Sequence, residues 1–307
     1  MRYDVIGDIH GQAGKLKALL AKLGYLMKSG AYRHPEGRMA IFVGDLIDRG
    51  PDQVETVNIV RKMIDAGTAR SIMGNHELNA IAFMTPDPAT KTEFMRPHDK
   101  KNMAQHAEFL RQVGEGSSLH NELIDWFKTM PPYLDLGDIR VVHAWWNQAY
   151  VDLVAVNQEA DGRMKEEFLF AGFKKEDAAF EALEGLTKGL EIRLPKGSSF
   201  FDHGGIEREH TRTKWWHHDA TNYREVVIVP EEQMHRIPEH PLPAAIPLAS
   251  RDDPPVFVGH YWFVGTPTIQ TPRVAVLDYS AAKSGPLVAY RWEGEADLVD
   301  TGFVEAG

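Results

Sequence analysis

Tyr3-Asp4-Val5-Ile6-Gly7-Asp8-Ile9-His10-Gly11 decides how the rest of this 307-residue chain is read. A short apolar run stops at a glycine, and an aspartate and a histidine follow at once, so chemistry-bearing side chains stand where a strand ends. The same device returns twice. Ala40-Ile41-Phe42-Val43-Gly44 runs into Asp45-Leu46-Ile47-Asp48-Arg49-Gly50, and Ser71-Ile72-Met73-Gly74 runs into Asn75-His76-Glu77. Between the first two runs Leu16, Leu19, Leu20 and Leu23 recur at helical spacing. Between the second and third, Val57, Val60 and Ile64 do the same over residues 51–66. Pro51 reads as the first helical residue and Gly67 as the stop. Strand, helix, strand, helix, strand predicts parallel strands joined by crossover helices. In such sheets ligands gather beyond the carboxyl ends of the strands, where glycine lets backbone turn sharply.

Two later histidines follow the same rule: Ile139-Arg140-Val141-Val142-His143 and Pro255-Val256-Phe257-Val258-Gly259-His260. Asp8, His10, Asp45, Asn75, His143 and His260 then form a set of hard oxygens and imidazoles. Those donors suit manganese, iron or zinc, and a chain without cysteine has no thiolates for a softer site. The set predicts two divalent cations roughly 3.5–4 Å apart, with the Asp45 carboxylate read as the bridge that offsets their repulsion. Such a pair serves phosphate-ester hydrolysis, because one ion lowers the pKa of water and both clamp the attacking and leaving oxygens. Of the fourteen histidines, His98, His106, His120, His235 and His240 read as surface or core groups rather than ligands.

In order, the phrases Gly-Asp-x-His-Gly, Gly-Asp-x-x-Asp-Arg-Gly, Gly-Asn-His-Glu, a strand ending in His, and Gly-His resemble the calcineurin-like metallophosphoesterases, more narrowly the phosphoprotein-phosphatase branch. The resemblance spans the whole catalytic frame. It implies an α/β fold, a metallophosphoesterase-type β-sandwich flanked by helices, with insertions capping the site. It implies that Asp8, His10 and Asp45 bind one ion and that Asp45, Asn75, His143 and His260 bind the other, manganese first, with iron or zinc as alternatives. It also implies that His76 is the general acid, oriented by Asp48, that Arg49 holds the phosphoryl oxygens, and that a metal-activated water attacks without a covalent phosphoenzyme. These roles make physical sense: an arginine fork matches phosphate bidentately, and an imidazole held by a carboxylate can donate a proton near neutral pH. Residues 274–279 followed by 285–290 resemble the family's closing strand pair, with Asp278 behind the site.

The chain also departs from that pattern. Trp262 stands where many relatives outside this branch have a second histidine in Gly-His-x-His, so the first ion is expected to lean on water and bind more weakly. Ala144-Trp145-Trp146 replaces the usual Ala-Gly after the strand-end histidine. Trp145 and Trp146 serve either as stacking platforms for a base or aryl ring or as a local hydrophobic plug. Met73 stands where protein phosphatases commonly have arginine.

A hydrophobic content of 43%, with no repeat or low-complexity break, is read as one catalytic domain over residues 1–307 with insertions at about 83–133 and 147–225. No apolar run reaches eighteen residues and the first strand begins almost at Met1, so the expectation is a cytoplasmic protein with no membrane partner. The net charge of −10 argues against broad nucleic-acid binding. In the second insertion Lys196-Gly197-Ser198-Ser199-Phe200-Phe201-Asp202-His203-Gly204-Gly205 precedes Arg208, Arg212, Lys214, Trp215 and Trp216. Basic groups beside flat rings are what a nucleotide or phosphopeptide pocket needs, and Arg193, Arg208 and Arg212 are candidates for a second phosphate contact. Seven prolines between residues 230 and 255 predict an extended surface crossing, and no obligate protein partner is inferred.

The expected activity is hydrolysis of phosphomonoesters in the manner of serine/threonine phosphatases, acting on a phosphoprotein, nucleotide or RNA end. A diadenosine polyphosphate hydrolase or polynucleotide-end phosphatase is the alternative. A metal-binding module without catalysis is the reading from a different class.

Overall fold

In the computed structural model, which describes residues 2–90, 93–202, 204–243 and 246–307, the three motif-bearing strands are where their apolar runs put them. β1 (Tyr3–Ile6) leads through α1 (Ala13–Lys22) and a hairpin of β2 (Leu26–Lys28) and β3 (Ala31–Arg33) to β4 (Met39–Phe42). From there α2 (Gln53–Asp65) leads to β5 (Ala69–Ser71) and α3 (Asn75–Met84). β1 pairs with β4 and β4 with β5, both in parallel. Helix α2 begins at Gln53 with Asp52 as its cap, so Pro51 lies outside it. The loop before it sets that limit, since Asp48 and Arg49 sit at φ 70° and 73° and cannot belong to a right-handed helix. At the far end Gly67 takes φ 67°, and its N–H donates to the Ile64 carbonyl at 2.9 Å, closing the helix as expected.

The 83–133 insertion carries α4 (Lys100–Val113) and α5 (Ser118–Phe127), capped by Asp99 and Ser117, whose side chains accept from the N–H groups of Asn102 and His120. β6 (Tyr133–Asp135) and β7 (Arg140–Val142) follow. The 147–225 insertion then supplies α6 (Gln148–Ala155), α7 (Glu166–Ala171) and α8 (Ala178–Lys188). It continues with β8 (Glu191–Arg193), β9 (Phe200–Phe201), β10 (Glu207–Arg208), β11 (His210–Arg212) and α9 (Tyr223–Val226). β12 (Val256–Val258), β13 (Val274–Val276), β14 (Leu287–Trp292) and β15 (Phe303–Ala306) end the chain. Lys91 and Thr92 of the first insertion's loop, and His203 of the second, lie outside the described residues.

Two larger sheets result among the described residues, β15-β14-β1-β4-β5 and β13-β12-β7-β6, beside the two-stranded pairs β2-β3, β9-β10 and β8-β11. Residues 274–279 and 285–290 do not form a strand pair with each other. β13 runs parallel to β12 in one sheet and β14 antiparallel to β1 in the other, so they finish opposite layers.

Alternation along each strand explains the sandwich. Val5, Ile41, Val141, Phe257, Ala275, Val288 and Tyr290 share one cluster between the sheets. Their sequence neighbours Ile6, Phe42, Val142, Val258, Val276 and Ala289 belong to a second cluster with the helices. Burial on both faces is why these strands read as continuous apolar runs rather than alternating ones. No helix among the described residues is long and apolar enough to cross a membrane.

Candidate metal and phosphate site

The motif residues follow the strand ends: Asp8 after β1, Asp45 after β4, His143 after β7 and His260 after β12, while Asn75 and His76 open helix α3 beyond β5. Eight non-glycine residues among those described have φ in the left-handed region, and His10, Asp45, Asp48, Arg49, His260 and Trp262 are six of them. Backbone strain is thus concentrated here, as it is where surrounding structure over-determines a functional geometry. Two glycines make the crowding possible. A Cβ on Gly259 would stand 1.9 Å from Asp8 Oδ1, and one on Gly74 would stand 2.2 Å from Asp45 Oδ1.

The ligand atoms converge. His10 Nδ1 donates to the Ile47 carbonyl at 2.9 Å, which leaves Nε2 as a lone pair 3.6 Å from Asp45 Oδ2. His143 Nδ1 donates to the Val43 carbonyl at 2.7 Å, and its Nε2 lies 3.3 Å from Asp45 Oδ2 and 3.3 Å from Asn75 Oδ1. Asn75 Oδ1 is also 2.8 Å from His260 Nδ1. Backbone carbonyls thereby fix the tautomers of His10 and His143, as second-layer partners do in metal sites. Donors sharing one ion at about 2.1 Å stand roughly 3.0–3.4 Å apart, which the two 3.3 Å separations at His143 match, while the 2.8 Å and 3.6 Å separations lie just to either side. Two groups are compact enough to hold an ion, His10 with Asp45 and His76, and Asp45 with His143 and His260, and Asp45 belongs to both. Asp8 accepts the His260 N–H on Oδ2 at 3.0 Å, while its buried Oδ1 has no partner among the described residues. An orphaned buried carboxylate oxygen beside converging imidazoles fits a cation.

The electrostatics agree. Burial would lower the pKa of His143, yet the Asp45 and Asp8 carboxylates push it up to about 10, so this position attracts positive charge. His10 is pushed down to about 3 by burial and by the neighbouring His76 and Arg49, which keeps its imidazole neutral and able to ligate.

Beside these candidate ligands stand His76 and Asp48. His76 donates from Nδ1 to Asp48 Oδ2, and its backbone N–H donates to Asp45 Oδ1 at 2.9 Å. Burial would lower the His76 pKa, but Asp45 and Asp48 raise it above its ordinary value. Burial pushes the Asp48 carboxyl up, but His76 and His106 more than offset this and hold it below the usual range. Arg49 Nη2 lies 3.3 Å from His76 Nε2, and the guanidinium covers the Trp262 ring at 3.7 Å. Asp278 accepts the Trp262 N–H at 2.8 Å, which puts it behind the site.

Three supporting residues carried no assigned role in the sequence. Glu77 is fully buried and accepts the N–H groups of Asp45, Leu46 and Gly74 at 2.8–2.9 Å, tying two motif loops together. Its place in the Gly74-Asn75-His76-Glu77 phrase was the available signal. Gln53 accepts the Asp48 N–H at 2.6 Å and donates to the Gly50 carbonyl at 2.7 Å. His106 donates from Nδ1 to Asp48 Oδ1 at 2.6 Å. Nothing in the sequence near residues 53 or 106 marks either role.

A cleft of about 1460 Å³ opens over these groups, lined by Arg49, Asn75, His76, Arg212, His260 and Trp262 among others. Of the three insertion arginines, Arg208 lines it but is paired with Asp202, and Arg193 lies outside it, paired with Glu209. Arg212 lines it with no carboxylate partner among the described residues. Trp145 and Trp146 are not brought to the cleft. Both are buried, Trp145 against Tyr150 and Trp146 beneath Arg140, and they border a separate cavity of about 540 Å³. The pair Trp215 and Trp216 is likewise core, with Trp215 Nε1 donating to the Ala144 carbonyl at 3.0 Å.

Comparison with known proteins places this geometry. Asymmetrical bis(5'-nucleosyl)-tetraphosphatase PrpE of Oceanobacillus iheyensis is 33% identical over 144 residues, covering 47% of this chain and 55% of that protein. The Bacillus subtilis protein of the same name is 34% identical over 146 residues, 47% of this chain and 57% of the relative. The chain thus spans about half the length of the curated relatives it matches. Among solved structures, a yeast (Saccharomyces cerevisiae) protein serine/threonine phosphatase with similarity to human phosphatase PP5 is 14% identical. It superposes with a TM-score of 0.50, covering 99% of this chain and 78% of that one, and shares the fold. The calcineurin-like phosphoesterase family model matches residues 1–261, and with the strand-end ligand set above it the chain belongs to the calcineurin-like phosphoesterase family.

Proposed function

We propose that this chain is a metal-dependent hydrolase that acts on dinucleoside polyphosphates, with water cleaving one phosphoanhydride bond asymmetrically to give a nucleoside monophosphate and the complementary nucleoside polyphosphate. The observation that carries this reading is the cleft. At about 1460 Å³ it exceeds the roughly 300–1,000 Å³ of ordinary small-molecule sites, and Arg49, Lys101, Arg212 and Lys283 line it without carboxylate partners among the described residues. A phosphoserine needs one phosphate seat, whereas a polyphosphate between two nucleosides needs a row of cations and a long trough. The names of the PrpE relatives support the same substrate class over the phosphoprotein expected first from the sequence.

Asp8, His10 and Asp45 would hold one divalent ion, and Asp45, Asn75, His143 and His260 the other, with manganese the proposed metal. Bound ions supply Lewis-acid polarisation of the phosphoryl oxygens and a lowered pKa for water. The protein's own groups do the rest. Arg49 presents its fork to the phosphoryl oxygens from beside His76, and the Trp262 ring restricts its swing. Arg212, close enough to His260 to help lower that imidazole's pKa behind the larger effect of burial, offers a second phosphate contact. Asp48 holds the His76 ring by its Nδ1–H, so that Nε2 faces the leaving oxygen and passes it a proton.

Steady-state kinetics with manganese on diadenosine tetraphosphate and on a phosphoserine peptide test the proposal. The expected kcat/KM ratio favours the dinucleotide by roughly 10²-fold. A ratio favouring the peptide overturns it.

A further inference from the structure

The geometry points to His106 as a positioning residue for the Asp48–His76 pair, so that an inserted helix holds the catalytic acid in register. This rests on the reading of His76 as proton donor.

Asp48 uses one carboxylate oxygen for each of two histidines: Oδ2 accepts from His76 Nδ1 and Oδ1 from His106 Nδ1, the latter at 2.6 Å. His76 comes from the motif frame, but His106 comes from α4, which lies in the 83–133 insertion. The His106 ring is itself immobilised. It is 5% exposed, stacks on Phe109 at 4.8 Å and packs on Phe83 at 5.2 Å. The preceding residue, Gln105, reaches the other end of the pair, with Nε2 3.4 Å from His76 Nε2 and Oε1 taking a 3.2 Å hydrogen bond from Arg96. Consecutive residues of one helix therefore touch both ends of the Asp48–His76 unit.

A carboxylate with one oxygen bonded and the other buried and free can rotate about its terminal torsion, which is broad and soft. Bonding both oxygens to rings fixed by packing removes that rotation and fixes the plane in which Asp48 meets His76. The Asp48 backbone is pinned as well, at φ 70° with its N–H on Gln53. Side chain and backbone are thus held from opposite directions. His106 does not face the cleft and is not a catalytic residue; it acts through Asp48.

The test compares His106→Asn with His106→Gln. The asparagine amide nitrogen falls near the position of Nδ1 and can donate to Asp48. The glutamine amide falls near Nε2 and cannot. Both are assayed with manganese on phenyl phosphate, whose leaving group needs a proton, and on para-nitrophenyl phosphate, whose leaving group needs little. His106→Gln is expected to lose about 10–100-fold in kcat on phenyl phosphate, much less on para-nitrophenyl phosphate, and to leave KM unchanged. His106→Asn is expected to retain most of the phenyl phosphate rate. Equal losses on the two esters, or equal behaviour of the two variants, overturns the proposal. His76→Ala run alongside separates the cases. A leaving-group effect there without one in His106→Gln rejects the positioning role alone, and its absence in His76→Ala rejects His76 as acid and the positioning role with it.

Discussion

The Arg49 guanidinium lies 3.7 Å from the centre of the Trp262 ring, and the backbone of Trp262 is held at φ 57° by the Asp278 carboxylate. The position where the resemblance led to an expected second histidine in other branches thus presents an aromatic face to Arg49, the arginine proposed to hold phosphate. Lys283 Nζ lies over the same ring at 4.7 Å.

If that ring aims Arg49, Trp262→Leu should weaken phosphate binding without changing the ions held. A cation–π contact worth about 0.5–2 kcal/mol translates into roughly a 3–30-fold loss in kcat/KM. Trp262→Phe should fall between. Inhibition by inorganic phosphate checks the binding term directly.

Glu77 binds three backbone N–H groups from two motif loops. In Glu77→Gln an amide NH₂ must face one of those donors, which costs about 1–3 kcal/mol for the group left unsatisfied. Lowered thermal stability and about tenfold weaker manganese binding are expected. A calorimetric titration measures the second, and unchanged affinity would refute the link between Glu77 and ligand placement.

Acid should destabilise the fold through His120. This ring is fully buried, its Nδ1 accepts the Gly116 N–H at 3.1 Å, and burial together with nearby His106 pushes its pKa down to about 4. The unfolded chain takes up the proton near pH 6.5, so the stability from neutral His120 is complete above about that pH. It is lost progressively as the pH falls from there towards 4. Urea unfolding of wild type and His120→Gln at pH 7, 5.5 and 4.5 should show a steeper acid loss in wild type.

The frame was legible because its information is local: an apolar run, a glycine and a candidate ligand, four times over, and once, at Val142-His143, the run and the histidine without the glycine. Helix α2 showed where local reading stops. Pro51 has the signature of a helix start, but the strained Asp48–Arg49 turn delays the helix by two residues. His106 was illegible because on α4 it shares the buried face with Phe109, Leu110 and Val113, and its partner lies 58 residues away. The basic and aromatic stretch of the second insertion does border the cleft, but its individual side chains were not legible for a related reason. Composition does not reveal that Arg193 and Arg208 are neutralised by Glu209 and Asp202, or that Trp215 and Trp216 point inward. Only Arg212 of those candidates lines the cleft without a carboxylate partner among the described residues.

The central claim is asymmetric, metal-dependent cleavage of a dinucleoside polyphosphate, and product analysis tests it most directly. Purified protein with manganese and diadenosine tetraphosphate, resolved by anion exchange during the first turnovers, should yield AMP and ATP in equal amounts, and chelation of the metal should abolish both. ADP as the sole first product, or no turnover while a phosphopeptide is readily hydrolysed, would contradict it.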